Sequence, residues 1–149
     1  MDSNVKSVFF LIREAVPHLA KTKGNIIIVS SISSTLTRTT RVVYSISKAA
    51  VDHLTRCLAV DLGSKGIRVN SVNPGFIPTR ILRFLDGDVD AITKSRAEIE
   101  STKCMLKGRL GMPEDVSEAV AFLASDAAGF ITGENLKIDG GRGFGEPNG

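Results

Sequence analysis

The sequence has little of what would build a covalently stapled, metal-centred or membrane-borne protein. Its 149 residues include two cysteines, Cys57 and Cys104, and two histidines, His18 and His53. Two separated thiols make no disulfide framework and show no metal-ligand spacing, so a reducing compartment is expected. Neither histidine has a cysteine or acidic cluster beside it, and each reads as a packing or surface residue rather than a metal ligand. No stretch approaches the roughly 20 apolar residues of a membrane span. Lys6, Arg13 and Glu14 interrupt the apolar residues near the start, so nothing there resembles a signal peptide. A cytoplasmic protein without a membrane partner is the expectation. The net charge is +3, yet Lys21, Lys23, Arg38, Arg41, Lys65 and Arg68 never join into a run of five, which argues against a nucleic-acid arm. Internal repeats and low-complexity segments are absent too.

What is present alternates between two periodicities. Val5, Val8, Phe9, Ile12, Val16 and Leu19 recur at helical spacing and predict a helix over about 4–21, ended by Gly24. After Asn25, the residues Ile26, Ile27, Ile28 and Val29 form an unbroken β-branched run, as expected of a parallel strand covered on both faces. A Ser-, Thr- and Arg-rich loop follows, and Ala49, Ala50, Leu54, Leu58 and Val60 mark a second helix over about 43–62. Residues 67–72 predict a second strand, stopped by the turn chemistry of Asn73, Pro74 and Gly75. Residues 76–110 are mixed and weakly helical. Pro113, followed by Glu114 and Asp115, opens a third helix to about Ser125. A last strand is expected near 134–138, and a mobile tail over 142–149.

The order helix, strand, helix, strand, helix, strand implies an α/β domain with a parallel sheet and crossover helices. Three strands are visible. A six-stranded dinucleotide sheet needs about 180 residues, at roughly 30 per βα unit. No G-x-G-x-x-G follows an early strand, so a phosphate-binding turn of that type is missing from the chain.

The chemistry gathers on the second helix. Tyr44 and Lys48 form a Y-x-x-x-K pair, and the i, i+4 spacing puts both side chains on one face a turn apart. An ammonium about 6 Å from a phenol attracts the phenolate by roughly 3 kcal/mol at an effective dielectric near 20, which makes the phenol more acidic. Such a group can exchange a proton with an alcohol near neutral pH. Two residues at one spacing also arise by chance as a surface pair. Ser31, at the carboxyl end of the first strand, lies where open α/β sheets bind ligands, and it brings a second hydroxyl to the place where the following helix begins.

With these residues the chain resembles the short-chain dehydrogenase/reductase family along nearly its whole length. The resemblance rests on Asn4 in the first helix, on residues 24–31, on Tyr44 to Ala50, on residues 66–75, on residues 111–116, and on Ile131, Thr132 and Gly133 through Asp139, Gly140 and Gly141. It implies the carboxy-terminal half of a Rossmann-like doubly wound sheet, one partial domain over 1–149, whose Gly-rich phosphate-binding βαβ unit would precede Met1. It implies NAD or NADP as cofactor and a small-molecule alcohol or carbonyl as substrate.

By the same resemblance Tyr44 is the general acid–base, and Lys48 tunes it and holds the nicotinamide ribose. Ser31 donates to the substrate oxygen, and Asn4 completes the catalytic set by anchoring a water that relays protons to Lys48. Local sequence alone reads Asn4 as a helix N-cap. Pro74, Gly75, Ile77 and Thr79 belong to the loop beside the nicotinamide, where the Ile77 backbone faces the carboxamide and the Thr79 hydroxyl bonds carboxamide or pyrophosphate. The other reading of that loop is a plain strand-ending turn. Ser33 is a candidate for the substrate pocket, and 76–110 is the substrate lid, with Phe84, Leu85, Met105 and Leu106 as covering residues. The family also implies self-association through the first two helices and through the last helix and strand. Two functional classes follow: an oxidoreductase, or a non-catalytic truncated isoform that assembles with full-length subunits.

Overall fold

The apolar run of the first strand is covered on both sides, as its lack of alternation requires. A computed structural model describes residues 1–37, 39–83 and 86–145. Its regular elements are α1 (Ser7–Thr22), β1 (Asn25–Val29), α2 (Val42–Gly63), β2 (Arg68–Pro74), α3 (Val89–Lys103), α4 (Pro113–Ala124) and β3 (Asn135–Ile138). The strands form one parallel sheet in the order β1-β2-β3. Asn25 lies opposite Arg68 and Val29 opposite Val72, while Ser71 lies opposite Asn135 and Pro74 opposite Ile138.

Each face of the sheet has its own core. Ile12 of α1 and Val51, Ala59 and Leu62 of α2 pack with Ile28, Ile67 and Val69 on one side. Leu123 of α4 and Ala128 pack with Val72, Ile27, Leu136 and Ile138 on the other. Neighbouring residues of β1 therefore point into different cores, which is why that strand is apolar without period-two alternation. This is the Rossmann-like half-sheet with crossover helices expected from the sequence. Among the described residues β1 pairs only with β2, so its other side is an open edge where Val29 is 58% exposed.

Several boundaries differ from the sequence expectation, each for a local reason. The chain enters α1 through a π-helical turn, Asp2–Lys6, so Asn4 lies inside a helical turn and not at an N-cap. Pro17 sits within α1 on its exposed side, where water can satisfy the Arg13 carbonyl that loses its N–H partner. Lys23, ahead of Gly24, takes the left-handed cap conformation at φ 52°. Its aliphatic chain lies against Gly66, where a Cβ would stand 3.1 Å from Lys23 Cγ. β2 runs two residues further than its turn chemistry suggests because Pro74 still pairs with β3 and the Gly75 N–H bonds the Ile138 carbonyl at 2.9 Å.

The segment read as weakly helical holds the regular helix α3, capped by Asp88, whose carboxylate accepts from the Asp90 and Ala91 N–H groups. The start of the expected mobile tail is packed: Arg142–Phe144 form a 3-10 turn, and buried Arg142 pairs with buried Glu100 of α3. Arg38, Phe84, Leu85 and residues 146–149 lie outside the described residues. Among those described, no helix is long and apolar enough to cross a membrane, and no group of three His, Cys, Asp or Glu side chains is placed to hold a metal.

Candidate active site

Ser31 follows β1 in extended backbone and caps a 3-10 turn, Ile32–Ser34, its hydroxyl oxygen accepting from the Ser33 N–H at 3.2 Å. An oxygen used as an acceptor keeps its O–H to donate. Ser33 itself is buried beneath the turn. The preceding Ser30 joins strand to helix, its N–H donating to the Val72 carbonyl at 2.8 Å and its hydroxyl to the Lys48 carbonyl at 3.4 Å.

Tyr44 and Lys48 stand one turn apart at the start of α2. The Lys48 ammonium lies 5.8 Å from the centroid of the Tyr44 ring and donates to the Val29 carbonyl at 3.0 Å. That carbonyl is on the open edge. Ser30 and Gly24 use their groups toward β2, so by strand alternation Val29 points the other way. Burial of the amine lowers the Lys48 pKa from the usual lysine range, and the charge of Asp52, a turn further along α2, partly restores it. With one of three N–H donors given to Val29, two remain for a ligand's oxygens.

Asn4 reaches the same corner from the amino-terminal turn. Its side-chain amide donates to the Ser47 hydroxyl at 3.0 Å, and Ser47 donates to the Tyr44 carbonyl at 2.7 Å. Asn4 and the Tyr44 backbone are thus joined through Ser47, and Lys48 bonds Val29, two residues ahead of Ser31 at the carboxyl end of β1. The sequence reading did not assign Ser47 a place in this web.

The loop after β2 is arranged differently. Gly75 is pressed against β3, where a Cβ would lie 3.1 Å from Asp139 Cα, and the Ile77 side chain packs onto Gly111. Thr79 precedes the 3-10 turn Arg80–Leu82 without a side-chain cap bond, so its exposed hydroxyl is available. Gly75 and Ile77 line a pocket of about 660 Å³ with Glu100, Cys104, Asp115 and Ile138. Tyr44 lines another of about 650 Å³ with Thr39, Arg41, Val43, Ile81 and Leu82. Ser31, Ser33, Lys48, Pro74 and Thr79 line neither. Met105 and Leu106, expected from the resemblance to cover a substrate, are tied down by their N–H groups, which both bond the Gly140 carbonyl.

Two buried residues were absent from the sequence reading of the site. The Asn73 side-chain amide donates to Asp52 Oδ2 at 2.7 Å, Ser34 Oγ at 3.1 Å and the Ser31 carbonyl at 3.2 Å. Asp52 carries a readable signal, an acid at i+4 from Lys48 and i+8 from Tyr44; Asn73 was read only as part of a turn.

A sequence profile of the family described as enoyl-(acyl carrier protein) reductase matches residues 1–142. The cis-4-hydroxycyclohexanecarboxylate dehydrogenase of Sinomonas cyclohexanicum is 43% identical over 130 residues, which are 87% of this chain and 49% of the relative. A solved short-chain dehydrogenase/reductase of unknown function from Caenorhabditis elegans, with cofactor, superposes with a TM-score of 0.86 at 33% identity, over 95% of this chain and 53% of the other. The chain belongs to the short-chain dehydrogenase/reductase family. A second solved member of this family of dehydrogenases and reductases, a 7α-hydroxysteroid dehydrogenase complexed with NADH and 7-oxoglycochenodeoxycholic acid, gives a TM-score of 0.82 at 35% identity, over 93% of this chain and 52% of that one. The chain spans about half the length of the curated relatives it matches.

Proposed function

We propose that the chain is the acid–base half of an NAD- or NADP-dependent oxidoreductase that interconverts a secondary alcohol and a ketone. The observation that carries this reading is the Lys48 ammonium, held by the Val29 carbonyl at 3.0 Å and 5.8 Å from the centroid of the Tyr44 ring. A nicotinamide ring, when bound, supplies the hydride acceptor or donor. The donor set suits that end of a dinucleotide: two free N–H groups on Lys48 for ribose hydroxyls, the Thr79 hydroxyl for carboxamide or pyrophosphate, and the loop from Pro74 through Gly75 to Ile77 for the ring's surroundings.

The chain's own residues do the proton work. Ser31 donates to the substrate oxygen and fixes its position. Tyr44 takes the alcohol's proton in oxidation and returns it in reduction, while Lys48 stabilises the phenolate by charge. Asn4 gives its amide to Ser47 and keeps a side-chain oxygen to hold a water on the way to Lys48. Residues 76–110 form the lid and exclude solvent, with Met105 and Leu106 on its inner edge; Ser33, buried, supports Ser31 from below.

A chimera tests this. The amino-terminal half of the Sinomonas dehydrogenase joined to residues 1–149 should oxidise secondary alcohols, and Tyr44→Phe should cut turnover by roughly 10²-fold or more. A folded chimera whose activity survives Tyr44→Phe would refute the assignment.

One observation favours a second role, assembly with a longer subunit. Leu11 on α1, Val60 on α2 and Phe130 beyond α4 are strongly exposed, and the β1 edge is open. A bare edge and apolar surface of this kind invite pairing with another chain. Sedimentation of the chain should then show self-association at micromolar concentration, and a clean monomer would count against it.

A further inference from the structure

We propose that Asp52 and Asn73 are positioning residues, a buried clamp that ties the Ser31 turn to the Lys48 helix and fixes the distance between them. The proposal rests on the acid–base reading above. Its geometry is a single side-chain amide bonded to both parts at once: to the Ser31 carbonyl and Ser34 hydroxyl on the turn, and to the Asp52 carboxylate on α2. Asn73 is 1% exposed and Asp52 5%. The Asn73 amide oxygen is held in turn by the Ser71 hydroxyl at 2.8 Å. Ser71 accepts from Asn135 at 2.6 Å, and the Asn135 oxygen accepts from Arg56 at 2.6 Å. An unbroken chain of bonds thus runs from an exposed guanidinium across β3 and β2 to Asp52, and it sets which way the Asn73 amide faces.

Packing alone does not explain an acid here. Burying a carboxylate is costly even when paired, and an apolar side chain of similar size is often as stable or more so. Asp52 carries a further cost, since its Oδ1 is buried with no hydrogen-bond partner among the described residues. What an apolar residue does not supply is a negative charge one turn from Lys48. That charge offsets part of the desolvation of the amine and favours its cationic form. No other charged side chain acts appreciably on Lys48 among the described residues: β1 presents the neutral Val29 carbonyl, the amino-terminal turn the neutral Asn4, and α2 itself Tyr44 and Ser47. One pair therefore serves both halves of the site, placing the donor hydroxyl and favouring the charged form of the partner amine.

The test uses the 149-residue chain without cofactor or substrate. Asp52→Asn keeps an acceptor for Asn73 but removes the charge. The Lys48 titration midpoint, followed by NMR on isotopically labelled lysine, should fall, and acylation of Lys48 by acetic anhydride at pH 8 should quicken roughly threefold or more. Asn73→Ala keeps the charge but cuts the tether, so amide exchange at Ser33 and Ser34 should accelerate roughly tenfold while α2 stays protected. In the wild-type chain the Asn73 side-chain NH₂ protons should be protected from exchange, a measurement that needs no variant to fold.

Freely exchanging Asn73 NH₂ protons, or a folded Asp52→Asn variant with an unmoved Lys48 midpoint, would overturn the clamp. A purely structural pair would lower thermal stability and leave Lys48 chemistry unchanged. Failure of the acid–base reading looks different: the chimera is inactive while the Lys48 and Ser33 responses persist.

Discussion

Neighbouring positions at the carboxyl end of β2 are built to opposite rules. Toward α4 the sheet presents Val72, which packs with Leu123 and Ala128 in an apolar core. Toward α2 the neighbouring positions are Ser71 and Asn73, fully buried yet polar, each with its hydrogen-bond partners. One strand therefore carries a dry core and a wired polar layer a few ångströms apart. Burying polar groups adds little net stability even when they are bonded, whereas apolar packing adds much. The contrast indicates that Val72 mainly helps to hold the domain together, as Val69 does in the core on the α2 side, whereas Ser71 and Asn73 mainly hold the end of the strand in shape.

The sharpest way to break the contrast is to hollow each face in turn. Leu123→Ala should cost about 2–5 kcal/mol in urea unfolding while leaving the Lys48 titration unchanged. Asn73→Ala, at an equally buried position, should cost less, about 1–3 kcal/mol, because it removes bonds and not a packed hydrocarbon, and it should disturb Ser31. Tyr44→Phe should change stability by no more than about 0.5 kcal/mol in the same assay, although it removes the proposed acid–base.

A pH measurement sharpens the same comparison at the entrance to α4. There Asp115 is held to about 2 by hydrogen bonds from Arg109 and the Met112 N–H. A carboxyl whose pKa is lower in the folded state stabilises the fold above its unfolded value of 3.8 and loses that contribution as pH falls through about 2. The melting-temperature advantage of wild type over Asp115→Asn should therefore persist at pH 6 and shrink steadily between about pH 4 and pH 2. An advantage independent of pH would show that the bond contributes nothing as an ion pair.

Much of this was legible in the sequence where the physics is local. The β-branched run from Ile26 to Val29, the Pro113-Glu114-Asp115 helix start and the Tyr44–Lys48 spacing each record a short-range rule, and the structure has the corresponding elements. The three strands and the helices between them follow from such signals. Where the sequence fell short, the cause lay in distant partners. Helix α3 has a weak apolar stripe, and its buried Glu100 is matched by Arg142 at the far end of the chain. The Asp88 cap just after Gly87 was a usable signal, outweighed by the charged residues that follow. Asn73 looked like turn punctuation because its partners, Ser31, Ser34 and Asp52, are remote in sequence and adjacent only once β1, β2 and α2 have packed. Pro74 extends β2 for the same kind of reason, through its register with Ile138 on β3.

As proposed, the chain holds the proton-transfer corner of an oxidoreductase without a G-x-G-x-x-G grip on a dinucleotide. Reduced-nicotinamide fluorescence, titrated against the 149-residue chain alone, tests it most directly. No saturation in the micromolar range is expected for either NADH or NADPH. Saturable micromolar binding of either would contradict it.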